Sequence, residues 1–253
     1  MIKLIVSGCN GKMGGVVTAI ANNQDDIEIV AGFDINDEVR YGYPVYKNPS
    51  EFKGEADVII DFSHPDMLEG LLKFATETKT PVVVATTGLS DEQKEQMKKA
   101  SEKTPLFFSA NMSLGVNLLI ELAQKATKVL ADNFDIEIIE KHHNQKIDAP
   151  SGTALAIADS INDTLENRKE YVYDRHAVRK KRTKNEIGIH AIRGGTIVGE
   201  HSVIFAGKDE IIELKHEAMS KEIFAVGAVA AAKYIAGGKP AKMYNMQDLV
   251  SEM

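Results

Sequence analysis

The sequence of 253 residues predicts an α/β protein. Its first half reads as a doubly wound parallel sheet, and an α+β region with an open mixed sheet follows. Three observations predict this. Apolar, largely β-branched runs alternate with helix-patterned segments from Ile2 to Ser109, as parallel strands covered on both faces require. A glycine-rich turn joins the first run to the first helix pattern. Beyond Ser113 the rhythm changes to a long amphipathic helix and then to strands that alternate polar with apolar residues, the pattern of a half-buried sheet.

Residues 2–6 form the first expected strand. Gly8-Cys9-Asn10-Gly11-Lys12-Met13-Gly14 follows, and 16–22 carry apolar residues at helical spacing. Strand, glycine turn and helix in this order suit a phosphate, which meets free amides and the positive end of the helix dipole. Taken alone, the pattern is also that of a structural turn. Residues 27–34 form the second strand and end in Asp34, twenty residues after Gly14. That is where a dinucleotide fold places a ribose-binding carboxylate. Turn and acid together point to dinucleotide binding.

Strands are expected at 58–62, 81–85 and 106–109, with helices at 67–76 and 91–101 between them. Ligands of such sheets lie beyond the strand C-termini. The corners at Ser63-His64, at Ala85-Thr86-Thr87-Gly88 and at Ser109-Ala110-Asn111-Met112 should therefore ring the cofactor.

Residues 114–130 read as a helix with Leu118, Leu122, Ala126 and Val129 as buried candidates. A half-buried strand at 135–140 follows, then a helix at 153–165 carrying Leu155, Ala158, Ile161 and Leu165. Residues 171–184 are polar and irregular. Their cations, Arg175, Arg179, Lys180, Lys181, Arg182 and Lys184, read as a solvated or mobile loop, with an anion-attracting lid and then a nucleic-acid patch as the sharper alternatives. Strands at 187–192, 196–205 and 210–216 are expected to run antiparallel in the open sheet. Its uncovered face suggests a homo-oligomer. An alanine-rich helix at 220–236, ended by Gly237-Gly238, returns to the first domain. The expected domains are 1–113 with 221–253, and 114–220.

Composition narrows the classes. A net charge of −7 argues against a general nucleic-acid binder. The single cysteine, Cys9, excludes an intramolecular disulfide and fits a cytoplasmic protein. The start has no signal-peptide anatomy, and the late apolar run at 224–232 is far too short for a membrane span.

The chemistry concentrates at residues 140–153. Pro150 disfavours helix for Ala149, and Ser151 or Thr153 can cap the helix that follows. With Gly152 beside it, that helix start suits a carboxylate. His142 and His143 are adjacent, so in an extended segment they point opposite ways. Lys146 adds a positive charge and a proton source. These cation-capable groups suggest a small polycarboxylate substrate. Paired histidines with no further spaced ligand suit zinc poorly, so no metal is expected.

The stretch Glu140-Lys141-His142-His143-Asn144-Gln145-Lys146-Ile147-Asp148-Ala149-Pro150-Ser151-Gly152-Thr153-Ala154 resembles the signature of the 4-hydroxy-tetrahydrodipicolinate reductases, also called dihydrodipicolinate reductases. The Gly8 to Gly14 loop, Asp61-Phe62-Ser63, Ala85 to Gly88, Ser109 to Ser113 and Arg193-Gly194-Gly195 through Gly199-Glu200-His201 match as well. The resemblance spans essentially the whole chain. It implies a Rossmann-like nucleotide domain and a substrate-binding, tetramerising domain that swing together on hinges near Met112-Ser113 and Ser220-Lys221. It implies reduction of 4-hydroxy-tetrahydrodipicolinate by NADH or NADPH with loss of water, in lysine biosynthesis through diaminopimelate. His142 would donate or accept the proton and Lys146 would donate one. His143, Gly152 and Thr153 would bind substrate. The cofactor contacts would be Gly8, Cys9, Asn10, Gly11, Lys12, Met13, Asp34, Ala85, Thr86, Thr87, Ser109, Ala110, Asn111 and Met112.

Two departures bear on this. Ile35 follows Asp34 where many relatives have a basic residue, so NADH should be used at least as well as NADPH, although Lys12 can also reach a phosphate. Ala85 replaces a frequent glycine, which a backbone contact tolerates. The competing expectations are a nicotinamide-responsive regulatory protein without catalysis, which needs no His142 and Lys146, and a dehydrogenase of another small carboxylate.

Overall fold

The computed structural model describes all residues, 1–253, and the chain divides into two compact units. The first comprises Met1–Leu114 and Glu222–Met253, the second Gly115–Lys221.

The first unit is a seven-stranded sheet. Its strands are β1 (Ile2–Ser7), β2 (Ile27–Phe33), β3 (Val45–Tyr46), β4 (Val58–Asp61), β5 (Val82–Val84), β6 (Leu106–Phe108) and β12 (Met243–Tyr244). Their order is β12-β6-β5-β4-β1-β2-β3, and every pair is parallel. This is the doubly wound order, with its switch point between β1 and β4. Alternate residues serve opposite faces. Leu4, Val6, Val58 and Ile60 pack with α1 (Lys12–Asn22) and α6 (Ile223–Ala236). Ile5, Ile59, Val82 and Val84 pack with α2 (Leu68–Thr78) and α3 (Asp91–Ser101). Helix α3 starts where expected because Ser90 and Gln93 form a reciprocal cap. Strands β3 and β12 and the terminal helix α7 (Met246–Glu252) were not foreseen. The strands have two residues each, too few to show a period.

The second unit contains α4 (Leu114–Leu130), β7 (Asp135–His142), α5 (Gly152–Thr164), β8 (Glu170–Val172), β9 (Glu186–Arg193), β10 (Gly199–Ala206) and β11 (Ile211–Ala218). The sheet order is β11-β10-β7-β9-β8. It is mixed, as expected, but the late strands are not all antiparallel. Strand β9 lies parallel to β7 and to β8, while β10 is antiparallel to β7 and β11. A strand following a long excursion can return in either direction, and the sequence pattern does not choose.

Helices α4 and α5 cover one face through Val116, Leu119, Ile120, Ala154, Ile157 and Ile161. The expected buried face of α4 was wrong: Leu118 is 48 %, Leu122 42 % and Val129 80 % exposed in the single chain. Apolar residues run round most of this helix, so periodicity alone does not identify the side that packs. The opposite face of the sheet is laced with ions, including Lys141 and Lys215 on Glu200, and His190 on Glu137.

The basic segment also differs from expectation. Arg182 binds Glu137, Asp135 and the Ile136 and Glu186 carbonyls, and Arg175 binds Glu137 and Glu186. These two arginines strap β7 to β9. Arg175 is the main cause holding the Glu186 carboxyl down at about 2.

Candidate functional site

In the first unit the expected cofactor residues lie at the C-terminal ends of neighbouring strands. Gly8 leaves β1 with φ +76°, and a Cβ there would sit 2.6 Å from the Phe62 carbonyl oxygen. At Gly14 a Cβ would come 2.1 Å from the Gly8 carbonyl oxygen. The turn thus needs glycine for conformation at one end and for space at the other. Gly11 is the N-cap of α1 and no side chain caps that helix. The first-turn amides, including those of Lys12 and Met13, have no intrahelical partner.

Asp34 follows β2. Its carboxylate accepts from the Asn10 amide at 2.9 Å and the Asn36 amide at 3.0 Å. A carboxylate has about four acceptor positions, so capacity remains for ribose hydroxyls. An uncapped, glycine-lined helix start beside such an acid fits a dinucleotide. The Asn10 side chain donates to the Asn36 and Glu38 carbonyls, tying the segment after Asp34 to the glycine turn.

Two candidates offer backbone rather than side chain. Cys9 is buried and its thiol is pushed up to about 11, first by burial. Thr86 turns its hydroxyl inward, donating to Asp61 at 2.7 Å. Asp61 was quoted only as part of a motif. It is fully buried, also accepts from the Ser63 amide, and fastens the β4 and β5 corners together. Burial pushes its carboxyl up. Ala85, Thr87, Ser109, Ala110, Asn111 and Met112 lie in the corners after β5 and β6, with Thr87 and Ala110 exposed.

In the second unit, β7 changes character along its length. Its helix-covered face presents Ile136 and Ile138, then Glu140 and His142. Register brings His201 of β10 opposite Glu140, and Arg193 of β9 opposite His142. The apolar core therefore runs into a buried polar cluster without a change of face. Glu140 is fully buried and accepts four hydrogen-bond contacts from three residues. Arg193 gives two at 2.7 Å, the Ser151 amide one at 2.9 Å, and His142 Nδ1 lies 2.6 Å away. Burial alone would raise the Glu140 carboxyl. Arg193, His142 and the Ser151 amide outweigh it and hold the group below its usual range. His201 lies 3.0 Å from Ser151 Oγ and edge-on to His142, with ring centroids 5.2 Å apart. Burial first, then His142, lowers His201 to about 4, so it is neutral at physiological pH.

Ser151 caps α5, accepting from the Ala154 amide. Gly152 opens the helix with nothing within 4 Å of where a Cβ would stand. Thr153 follows it in the first turn. Lys146 pairs with Asp148 at 2.9 Å. The Asp148 carboxyl is held below its usual range, first by Lys146, with the Gly152 amide contributing. A carboxylate of the chain thus already sits on donors expected to take one. His143 stands just beyond β7, half-buried, and its carbonyl accepts from the Lys146 amide.

Sequence reasoning gave no role to Glu140, Arg193 or His201. Glu140 had a signal, since a period of two places it on the face of Ile136 and Ile138. Arg193 had none, because its partner lies 53 residues away.

Comparison with known proteins bears on the whole chain. The family described as dihydrodipicolinate reductase, N-terminus, matches residues 2–112, and its C-terminus counterpart matches 115–250. A 4-hydroxy-tetrahydrodipicolinate reductase of Caldanaerobacter subterraneus subsp. tengcongensis is 55 % identical over 252 residues, covering 100 % of this chain and 99 % of that one. One of Clostridium tetani is 49 % identical, covering 99 % and 98 %. Among solved structures, dipicolinate-bound dihydrodipicolinate reductase from Paenisporosarcina sp. TG-14 superposes with a TM-score of 0.82 at 25 % identity, covering 98 % of this chain and 99 % of that one. Matched through both halves and about half identical to full-length relatives, this chain belongs to the dihydrodipicolinate reductase family.

Proposed function

We propose that the protein is a 4-hydroxy-tetrahydrodipicolinate reductase. It reduces the hydroxylated cyclic imine dicarboxylate to tetrahydrodipicolinate in the diaminopimelate route to lysine. One hydride and one proton enter and one water leaves. Supporting this are the full-length relatives that carry that name. The observation that carries it is a buried imidazole beside a helix start and an ammonium that already hold a carboxylate.

Residues 1–113 with 221–253 bind NADH or NADPH, which supplies the hydride when bound. Gly8, Cys9, Asn10, Gly11, Lys12 and Met13 cradle the pyrophosphate, Asp34 the ribose, and 85–87 with 109–112 the nicotinamide side. Residues 114–220 bind substrate and form a homotetramer. His142 and Lys146 handle protons, with Lys146 as donor. His143, Gly152 and Thr153 hold a substrate carboxylate. NADH is used at least as well as NADPH, since Asp34 favours free ribose hydroxyls and Ile35 offers no charge to a 2′-phosphate. The protein works in the cytoplasm.

The test follows nicotinamide absorbance with enzymatically generated substrate and each nucleotide in turn. Turnover with NADH at least equal to that with NADPH is expected. No turnover with either refutes the activity, and a tenfold or greater advantage of NADPH in kcat/KM refutes the cofactor preference.

A further inference from the structure

A carboxylate, Glu140, is fully buried two residues before the proposed proton-transfer histidine. Glu140 is shut off from bulk solvent, so its charge is sustained by its partners. Its geometry assigns each oxygen. Oε1 accepts from the Ser151 amide and from Arg193. Oε2 accepts from Arg193 and faces His142 Nδ1. Arginine and a backbone amide can only donate. Both oxygens are therefore committed as acceptors, and the hydrogen between Oε2 and Nδ1 belongs to the imidazole. In its neutral form His142 then carries its proton on Nδ1 and leaves Nε2 bare. Gly199 stands beside that nitrogen, where even a Cβ would sit 3.1 Å from Nε2. Arg193 is itself anchored by a bond to the Asp148 carbonyl at 2.6 Å.

We propose that Glu140, clamped by Arg193, is the positioning residue of this enzyme, fixing the His142 tautomer and linking His142 to the Ser151 cap of the substrate-binding helix. This rests on His142 being the proton-transfer group. One carboxylate sets the register between the imidazole and the α5 start, so proton and substrate carboxylate are placed by the same atoms. The charged and titratable groups around His142 are Glu140 on its own strand, Arg193 on β9, His201 on β10, His216 next to His201 on β11, and Lys146 in the following loop. Lys146 brings Asp148 with it as a second anion, and Glu140 is the one hydrogen-bonded to the His142 ring.

Glu140→Gln tests this sharply. Two fixed donors, the Ser151 amide and Arg193, point at the Oε1 position and only one, from Arg193, at Oε2, so the amide nitrogen takes the Oε2 position, gives up that one Arg193 bond and faces Nδ1. Neutral His142 is then forced to carry its proton on Nε2, and imidazolium meets a donor instead of an acceptor. The experiment is side-chain 15N NMR of His142 in the full-length wild type and in Glu140→Gln, from about pH 6 to about pH 10, alongside kcat and KM against pH. Expected are an Nδ1–H neutral tautomer in the wild type and an Nε2–H tautomer in the variant. The variant's kcat should fall about 100-fold or more with its KM for NADH unchanged. An Nε2–H tautomer in the wild type overturns the proposal even if the variant does not fold. So does a folded variant with unchanged tautomer and kcat within threefold of wild type. Arg193→Lys keeps the charge but loses the two-pronged clamp, and its kcat should fall about tenfold. If wild type turns over no imine, the functional reading fails, while the 15N spectra still decide whether Glu140 sets the tautomer.

Discussion

The two sheets serve chemistry in opposite ways. The first is apolar on both faces, and its candidate groups hang from strand ends as backbone amides, glycines and one acid. The second places its polar groups on the strands themselves, in line with the core. Ile136, Ile138, Glu140 and His142 are successive residues of one face. A parallel sheet buried on both sides has no room for charge except at its rim. A sheet with two helices over part of one face has a buried end where charge can be locked in place. The first solution suits binding a large ligand through many weak contacts. The second suits holding a few atoms rigidly.

Substitutions should separate the two. Lys146→Ala should give the largest effect, lowering kcat by about 10³-fold while leaving NADH affinity by fluorescence titration within twofold. An equal loss in NADH affinity would break the division of labour. Glycines come next. Gly14→Ala puts a methyl against the Gly8 backbone, so it should lower stability by about 1–3 kcal/mol and weaken NADH binding at least tenfold. Gly152→Ala meets nothing, so thermal unfolding should shift little. Its effect should appear in the KM for substrate, raised several-fold. If Gly152→Ala destabilises as much as Gly14→Ala, the second site is not open as described. Asp34→Ala should change the ratio of kcat/KM for NADH over NADPH about tenfold toward NADPH, close to 1.4 kcal/mol.

Acid provides a contrast in stability rather than in turnover. His201 sits near 4 in the folded chain against an ordinary 6.5. Its folded value lies below its unfolded one, so protons favour unfolding. Stability from this group is complete above about pH 6.5 and declines towards pH 4, by on the order of 3 kcal/mol. Asp61 behaves oppositely. Burial raises its folded value, so acid relieves rather than adds strain in the first unit. Between about pH 6.5 and pH 4, amide exchange should therefore quicken in β7, β9 and β10 before β1, β4 and β5. The reverse order would show that other groups dominate.

The first unit was legible because its rules are local. A glycine turn, an acid twenty residues on and a run of β-branched strands can each be read within a short window. Helix α4 was legible in extent and not in orientation, since Leu118 and Leu119 are equally apolar and only packing distinguishes them. The second site was half legible. His142, Lys146 and Gly152 lie in one stretch, whereas Arg193 and His201 reach it only through strand register, 53 and 50 residues from Glu140 and Ser151. The direction of β9 determines that register, and no pattern in β9 itself records it.

The Asp148 side chain on Lys146 has a consequence for selectivity. On the proposed reading, a substrate carboxylate that takes the Gly152 amide evicts a tethered competitor. The competitor loses no translational freedom when it binds, so it acts at a high effective concentration. Any measured affinity is then the difference between two carboxylates on the same groups. A molecule with a single carboxylate offers little that Asp148 does not already provide. One with a second, gripped elsewhere, gains what the side chain lacks. The protein would thereby screen its ligands for two acids by keeping one of its own in place.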